Sequence, residues 1–182
     1  MRIGIISDTH GDVKAWQKAI KAFGQVDLVL HAGDILYHGP RNIIPEGYNP
    51  RSLAESINSF PSPVLIAKGN CDAEVDQLLI NTPLAQPYLF AVLNGKRVLV
   101  HHGHFLLGEK LEELVIKWRI DLCISGHTHL AASTKIEGCA FFNPGSCALP
   151  KDGGSPSVGL WEGNTLKLID LNSLTVLSSL NI

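Results

Sequence analysis

Aspartate and histidine recur in this chain at the short spacings that are typical of metal ligands. Asp8 and His10 are two residues apart in Ser-Asp-Thr-His, and His127 and His129 are two apart in Gly-His-Thr-His. If the chain stays extended through each pair, both side chains leave the same side of the backbone, with Cα atoms roughly 6.5–7 Å apart. We therefore predict that each pair contributes two ligands to one site.

Three further polar side chains follow apolar segments: Asp34 after Gly33, Asn70 after Gly69, and His102 in His-His-Gly-His. The combined set offers oxygen and imidazole nitrogen and requires no thiolate. Such mixed sets suit Mn, Fe, Co or catalytic Zn, whereas a cysteine-rich set would indicate structural zinc. The pattern favours two divalent ions with one carboxylate bridging them.

A pair of divalent ions also predicts a reaction class. Ions bridged at about 3.5–4 Å can hold a hydroxide nucleophile and stabilise a phosphorus-centred transition state from both sides. Two such ions against Asp8 and Asp34 leave a residual charge of about +2 before hydroxide binds, which indicates an anionic substrate. Phosphate esters are the obvious candidates.

Each candidate ligand also has an ordinary structural interpretation. A single Asp at a strand end is usually a cap or turn former, and Asn70 beside a glycine is typical of a tight turn. His127 and His129 could be turn histidines bonded to the backbone. The recurrence of such residues in one chain favours the metal. His31, inside an apolar strand, is predicted to be a buried, hydrogen-bonded residue instead.

The elements that would carry these residues alternate between strand and helix in the first half of the chain. Helices are predicted from Asp12 to Gly24 and over 51–60 and 108–119. Polar residues at the carboxyl ends of core strands are where open α/β sheets bind ligands. Five apolar segments run into such polar loops: Met1–Ser7, Val26–Ala32, Val64–Ala67, Val98–Val100 and Asp121–Ile124.

The second half is predicted to consist mostly of short antiparallel strands. Leu89–Leu93 and Lys96–Val100 flank Asn94-Gly95, a strong hairpin signal. Leu36–Pro50, with three prolines and two glycines, is a long irregular loop of the kind that covers a site or is disordered. We expect one α/β domain, residues 1–182, of two sheets packed face to face with helices outside.

Composition excludes several classes of protein. The 182 residues carry 15 Lys+Arg against 17 Asp+Glu, a net charge of −2. The charged share of 18% lies below the roughly 25% usual for soluble domains, which excludes disorder and a solvated coiled coil. The basic residues are scattered, so we expect no stable nucleic-acid binding.

The same composition predicts where the protein resides. Its four cysteines show no Cys-x-x-Cys spacing, and the chain opens without a charged-then-apolar leader. Its apolar runs end well before the roughly 18 residues that a membrane span needs. We therefore expect a reduced, cytoplasmic protein that does not enter membranes.

The motifs, in their order along the chain, resemble the five-part signature of the calcineurin-like metallophosphoesterases. The matching residues are Asp8-x-His10, Gly33-Asp34, Gly69-Asn70, His102 and Gly126-His-Thr-His129. More narrowly, the whole chain resembles the small bacterial YfcE-type phosphodiesterases. The further matches are Gly69-Asn-Cys-Asp72, His102-Gly-His104, Asn143-Pro-Gly-Ser146 and Gly39-Pro-Arg41.

The resemblance implies a four-layer α/β/β/α sandwich of two mixed sheets, with a binuclear centre at the top of the sheets. It implies Mn²⁺ as the usual ion, with Fe, Co, Ni and Zn as alternatives, and a metal-bridging hydroxide that attacks a phosphodiester. A small phosphate ester is the expected partner, and a homo-oligomer is left open. The implied ligands are Asp8, His10, Asp34 and His129 for the first ion, and Asp34, Asn70, His102 and His127 for the second.

One position departs from the family pattern. Many members carry, after the metal-binding asparagine, a histidine that protonates the leaving alcohol, whereas this chain has Cys71. A neutral thiol with a reference pKa of about 8.5 is a poor substitute. This favours phosphodiesters or activated esters. Asn70 and His104 are then the candidate catalytic residues, His104 as replacement acid or as donor to the substrate phosphate, and Arg41 is a further candidate substrate contact.

Two other functions compete with this interpretation. A non-catalytic scaffold, as in the retromer subunit that resembles this fold, would be favoured by lost ligands, but all seven positions are filled. A phosphomonoesterase is disfavoured by Cys71 and by the lack of an arginine-bearing asparagine motif. Cys71 is not expected to be a covalent nucleophile, because no base partner is evident nearby.

Overall fold

A computed structural model describes residues 1–182 as two β-sheets with α-helices on their outer faces. The helices are α1 (Val13–Phe23), α2 (Pro50–Asn58) and α3 (Glu109–Trp118), and a 3₁₀ turn spans Glu74–Leu78. The strands are β1 (Arg2–Ile6), β2 (Leu28–His31), β3 (Val64–Ala67), β4 (Leu84–Ala85), β5 (Leu89–Leu93), β6 (Lys96–Val100), β7 (Leu122–Ile124), β8 (Ala131–Ile136), β9 (Cys139–Pro144), β10 (Ser157–Glu162), β11 (Thr165–Asp170) and β12 (Val176–Asn181).

Both sheets are mixed, as expected. The first has the order β12-β11-β10-β1-β2-β3-β4, in which β1 to β4 are parallel and β10 to β12 are antiparallel. The second has the order β5-β6-β7-β9-β8, with parallel β6, β7 and β9 between antiparallel edges. Because parallel strands end at the same edge of a sheet, the loops that follow β1, β2, β3, β6 and β7 can meet there.

The alternation of side chains along β1 separates the two sides of the first sheet. Ile3 and Ile5 are fully buried against β6 and β7 of the second sheet, whereas Ile6 belongs to the cluster under α1 and α2. At Gly4, on the helix side, an added Cβ would lie 2.7 Å from the ring of Phe23. Glycine therefore lets α1 pack directly on the strand.

The helices complete the four layers. Asp12 caps α1 by accepting a hydrogen bond from the Ala15 N–H at 2.9 Å, and the helix ends at Gly24 with φ of 62°. On the other side of the molecule, α3 packs on β6 and β7 through Val115. The predicted α/β/β/α sandwich is confirmed.

The differences from the predicted elements are small. The predicted helix over 51–60 is Pro50–Asn58, and the one over 108–119 is Glu109–Trp118. The sequence analysis did not predict β4, Leu84–Ala85, because two residues carry no periodic signal. None of the helices has both the length and the apolar character needed to span a membrane.

Candidate metal centre

The backbone at the predicted ligands is left-handed rather than extended. The φ angles of five of them are positive, at 55° for Asp8, 46° for His10, 58° for Asp34, 69° for His127 and 62° for His129. The condition of an extended chain, under which the spacing of each pair was interpreted, is therefore not met. The chain turns back immediately after each strand, and this turn brings the side chains to the edge of the sheet.

Hydrogen bonds between neighbouring loops hold these turns. The Asp8 N–H donates to the Gly33 carbonyl and the His10 N–H to the Asp34 carbonyl, both at 3.0 Å. The motif has glycine at position 69 because a Cβ added there would lie 2.1 Å from Asp34 Oδ1. The loops that follow β1, β2 and β3 therefore support one another.

The Asp8 carboxylate lies at the centre of the cluster and is fully buried. Its Oδ1 atom is 3.3 Å from His129 Nε2, 3.7 Å from His10 Nε2 and 4.0 Å from His102 Nε2. The oxygens of Asp34 face two of the same rings, with Oδ1 3.3 Å from His102 Nε2 and Oδ2 3.8 Å from His10 Nε2. Both carboxylates therefore lie between the imidazoles.

Two groups of potential ligand atoms share Asp8. One consists of Asp8, His10 and His129, and the other of Asp8, Asp34 and His102, with the ligand atoms of each group within 4.8 Å of one another. All five residues are buried. The structure thus brings together five of the seven predicted ligands, and a third group, of His10, Asp34 and Cys71, overlaps the other two.

The orientation of the histidines is fixed by backbone carbonyls. The Nδ1 atoms lie 2.5–2.8 Å from carbonyl oxygens, to which Nδ1–H donates: His10 to Tyr37, His102 to Ala32 and His129 to Leu149. Each Nε2 atom therefore points into the cluster. This is the usual arrangement of metal-ligating histidines, whose other nitrogen is held by a carbonyl or carboxylate.

The cluster fits a cation. His10 Nε2 and His129 Nε2 are only 3.1 Å apart, so two lone pairs would face each other unless a proton or a metal ion lies between them. Asp8 Oδ1 and His102 Nε2 are buried without any hydrogen-bond partner. Buried polar atoms are rarely left unpaired, and divalent ions would satisfy both of these atoms.

Without metal, protons take over part of this role. Burial opposes ionisation of Asp8, but the surrounding imidazoles of His10, His129 and His102 outweigh this effect and hold the pKa of the carboxyl well below its usual range. Burial likewise opposes protonation of His102, yet the neighbouring Asp34 and Asp8 raise its pKa to about 9. The pKa of His10 is raised for the same reason. Metal binding must therefore displace protons.

Asn70, His127 and His104 lie at the mouth of the cluster. The His127 N–H donates to Asp8 Oδ2 at 3.1 Å, and its half-buried ring is 5.1 Å from the His102 ring. The exposed His104 ring lies 5.4 Å from that of His102. Asn70 is also exposed, and its amide donates to Cys71 Sγ at 3.3 Å. These three side chains are at least partly exposed to solvent, unlike the five buried residues of the cluster.

Arg41 and Cys71 have different surroundings. Arg41 is exposed on the predicted irregular loop and forms no hydrogen bond or ion pair. The loop does reach the cluster through the Tyr37 carbonyl.

Cys71 is half-buried, and burial, followed by the charge of Asp34, raises the pKa of its thiol to about 12. A thiol that stays protonated is a poor nucleophile.

Asp72 has a role that the sequence analysis did not assign. Its buried carboxylate accepts the N–H groups of Asp34 at 2.9 Å, Ile35 at 2.6 Å and Gly69 at 2.7 Å. Burial raises its pKa to about 6 although these donors oppose the shift. Asp72 therefore positions the two loops that carry Asp34 and Asn70. Its place in the family motif was the only sequence signal.

The Asn-Pro-Gly-Ser motif supports the other loops. The Asn143 amide donates to the Gly126 carbonyl at 2.9 Å, and Ser146 Oγ donates to the Asp8 carbonyl at 2.8 Å. His31, fully buried as predicted, accepts the Gly33 N–H at 3.0 Å. These residues hold the backbone behind the ligands.

Comparisons with known proteins agree with this arrangement. The sequence model of the calcineurin-like phosphoesterase superfamily domain matches residues 1–165. Phosphodiesterase YfcE of Escherichia coli K12 is 35% identical over 184 residues, which cover 100% of this chain and 98% of that protein. A probable metallophosphoesterase of Methanothermobacter thermautotrophicus is 31% identical over 83% of this chain and 80% of its own.

Solved structures give the same result. The structure of YfcE, described as a phosphoesterase from E. coli, matches with a TM-score of 0.89 and 33% identity over 100% of both chains. Vps29 from Entamoeba histolytica, complexed with Zn²⁺, has the same fold, with a TM-score of 0.67 at 20% identity over 100% of this chain and 98% of that one. The predicted family is confirmed: the chain belongs to the calcineurin-like phosphoesterase superfamily and resembles the YfcE-type enzymes along its whole length.

Proposed function

We propose that this metal-dependent phosphoesterase is a binuclear phosphodiesterase. The observation that supports it best is the Asp8 carboxylate, whose buried Oδ1 has no hydrogen-bond partner and lies within 4.0 Å of three imidazole nitrogens. Two overlapping ligand groups share this residue. Such a cluster is costly to bury unless cations complete it.

The proposed bridging ligand is Asp34. Its Oδ2 atom faces His10 at 3.8 Å and its Oδ1 atom faces His102 at 3.3 Å, so each oxygen belongs to a different half of the cluster. Oxygen and imidazole ligands suit Mn²⁺, with Fe, Co, Ni and Zn as alternatives. The proposed ligands are Asp8, His10, Asp34 and His129 for one ion, and Asp34, Asn70, His102 and His127 for the other.

Two ions held there would supply a hydroxide nucleophile at neutral pH and neutralise charge on the phosphoryl oxygens. In the reaction the water oxygen joins phosphorus, the bond from phosphorus to one ester oxygen breaks, and the departing alcohol takes up a proton. Asn70 and His104, at the mouth of the cluster, can donate hydrogen bonds to the phosphoryl oxygens. Arg41 remains a proposed contact from the neighbouring loop.

The surroundings of His104 favour one of its two predicted roles. Partial burial, followed by the charges of His102 and His127, lowers its pKa. A neutral imidazole is a hydrogen-bond donor rather than a strong acid. Its exposed ring lies 5.4 Å from the His102 ring, at the mouth of the cluster, and we assign His104 the role of hydrogen-bond donor to the substrate phosphate. Without a strong acid the enzyme needs a leaving group that departs readily, which supports diesters and activated esters over ordinary monoesters.

The scaffold alternative rests on the fold. Structures of Vps29 match over the whole chain at 18–22% identity, and such a likeness shows the fold alone. In this chain five candidate ligands are buried together, and backbone carbonyls orient the three histidines among them. The retained cluster therefore favours the enzyme.

The cysteines indicate the compartment of the enzyme. All four cysteines are free, three of them buried, which is typical of a reducing compartment such as the cytoplasm. We infer a single domain over 1–182 and a small phosphate ester as the partner, without stable binding to nucleic acid. A homo-oligomer stays a prediction.

The decisive experiment uses metal-stripped protein with bis-p-nitrophenyl phosphate, in the presence and absence of Mn²⁺. We expect hydrolysis only with metal, and slower hydrolysis of the monoester p-nitrophenyl phosphate. His127→Ala should abolish the metal-dependent rate. A rate that is independent of metal, or full activity in the variant, would refute the proposal, and faster hydrolysis of the monoester would favour a phosphomonoesterase.

A further inference from the structure

A cleft of about 660 Å³ opens beside the metal centre, on the side of Asn70 and His104. None of the five buried ligands lines it. Binding sites for small molecules typically measure about 300–1,000 Å³, so this cleft can hold the organic part of an ester as well as its phosphate. Its lining includes Lys68, Asn70, Gln86, Pro87, His104 and Phe105.

Lys68 brings to the cleft an ammonium group that forms no ion pair with any carboxylate. It follows β3 directly, and its N–H donates to the Ala85 carbonyl at 2.8 Å, so its backbone is fixed. Its ammonium group forms no hydrogen bond and no ion pair in the whole chain. Asp72 also lines the cleft, but three backbone N–H groups occupy its oxygens. An anionic group in the cleft would therefore meet a free cation.

Phe105 gives the cleft an aromatic surface. Its side chain is 67% exposed although it lies directly after His104, and its ring centroid is 6.5 Å from the His104 ring. An exposed phenyl ring at the edge of a polar cleft offers a face on which a planar group can stack. The cleft thus combines one stacking surface with one unpaired positive charge.

We propose that this cleft binds one ester arm of the substrate, and that Lys68 and Phe105 select an arm that carries both a planar ring and a second negative charge. The substrate class is then an aryl or heterocyclic phosphodiester with an additional phosphate or carboxylate. Asn70 and His104 lie at the boundary between the two regions, because they line the cleft and also flank the metal centre. This inference rests on the proposed function and specifies its substrate.

The test compares three monoesters, each with a single arm, as competitive inhibitors of methyl p-nitrophenyl phosphate hydrolysis by the Mn²⁺-loaded protein. Methyl phosphate has no ring, phenyl phosphate adds the ring, and 4-carboxyphenyl phosphate adds the second charge. We expect the inhibition constant to fall about fivefold at the first step, through stacking. At the second step it should fall about threefold, through a partly exposed ion pair that weakens in high salt.

Four variants test which residue causes each of the two decreases in the inhibition constant. Phe105→Ala should remove only the first step and Lys68→Met only the second. The matched controls Phe90→Ala and Lys96→Met, at residues that do not line the cleft, should keep both steps. Steps that persist in Phe105→Ala and Lys68→Met, or that are missing from the unmodified protein, would overturn the inference.

A failure of the proposed function would be recognised separately. Calorimetric titration of the same monoesters into the Mn²⁺-loaded protein measures both steps in Kd without any turnover. Absence of metal-dependent hydrolysis would refute the phosphodiesterase, whereas equal Kd values for the three monoesters would refute only the selective cleft.

Discussion

The metal centre and the surface turns share a backbone conformation but use it differently. Ten residues other than glycine have positive φ angles: Asp8, His10, Asp34, His127 and His129 at the centre, and Asn94, Arg119, Glu137, Asp152 and Leu174 in turns or at a helix end. On the surface this conformation reverses the chain, and three of those residues precede a glycine. At the centre it points ligands towards one another.

The two regions also differ in what stabilises the conformation. Left-handed backbone costs roughly 1–2 kcal/mol for a residue that has a Cβ. The turn at Asn94-Gly95 is tolerated because Asn and Gly adopt it most easily. Asp and His adopt this conformation more readily than most residues, but at Asp8 and His10 buried hydrogen bonds to Gly33 and Asp34 also hold the chain. At the centre, hydrogen bonds between loops therefore offset the free-energy cost of the strained backbone, as is common at functional sites.

The largest expected effect comes from removing a ligand. Asp34→Asn removes the charge that faces both His10 and His102, and His127→Gly removes an imidazole while relieving a left-handed backbone. Both variants should lose more activity towards bis-p-nitrophenyl phosphate than the roughly 10–100-fold expected for a supporting residue. Steady-state kinetics at saturating Mn²⁺ measures the loss. Activity within tenfold of the unmodified protein would show that these side chains are not ligands.

The next effect concerns a residue that acts only through the backbone. Asp72→Ala leaves the N–H groups of Asp34, Ile35 and Gly69 without their acceptor, so the turns at the centre should loosen. We expect Mn²⁺ affinity to fall about 10–100-fold, as for residues that orient ligands. Calorimetric titration measures it. An unchanged affinity would mean that the turns do not need this support.

The sequence indicated which polar residues lie together at the strand ends better than it indicated their conformation. Apolar segments ending in Asp34, Asn70 or His102 are local patterns, so strand ends and ligands could be identified together. The left-handed backbone of Asp8 and His10 was not predicted, because the local preference of Asp and His for it is weak and the partners that hold it come from another loop. The role of Asp72 was missed for the same reason, since its partners Asp34 and Ile35 lie 38 and 37 positions away in the chain.

The protons at the centre predict an effect of pH on the metal-free protein. Its neighbouring carboxylates raise the pKa of His102 to about 9 from the ordinary 6.5, so protonated His102 stabilises the fold fully below pH 6.5. That stabilisation is lost as the pH rises through 9. We expect Tm to fall by about 5 °C between pH 7 and pH 9.5. The Mn²⁺-loaded protein should not show the fall, because its ligands carry no proton to lose; equal falls would contradict the assignment.

The smallest effect is expected on the surface. Glu137→Gly removes a left-handed penalty of roughly 1–2 kcal/mol and adds an unfolded-state entropy cost of roughly 0.5–1 kcal/mol. Thermal or urea unfolding should show a gain of about 0.5–1 kcal/mol in the free energy of unfolding, with activity unchanged. Comparison of this variant with His127→Gly distinguishes a left-handed residue that only reverses the chain from one that also positions a side chain at the centre. A loss of activity in Glu137→Gly would contradict the distinction between the surface turns and the centre.

The central claim is that turns at the strand ends build a centre for two ions that carry the hydrolysis. The most direct test is titration of Mn²⁺ into metal-stripped protein while the hydrolysis of bis-p-nitrophenyl phosphate is followed. We predict that the rate rises from the uncatalysed level and saturates at two ions per chain. Saturation at one ion, or full activity before any metal is added, would contradict the claim.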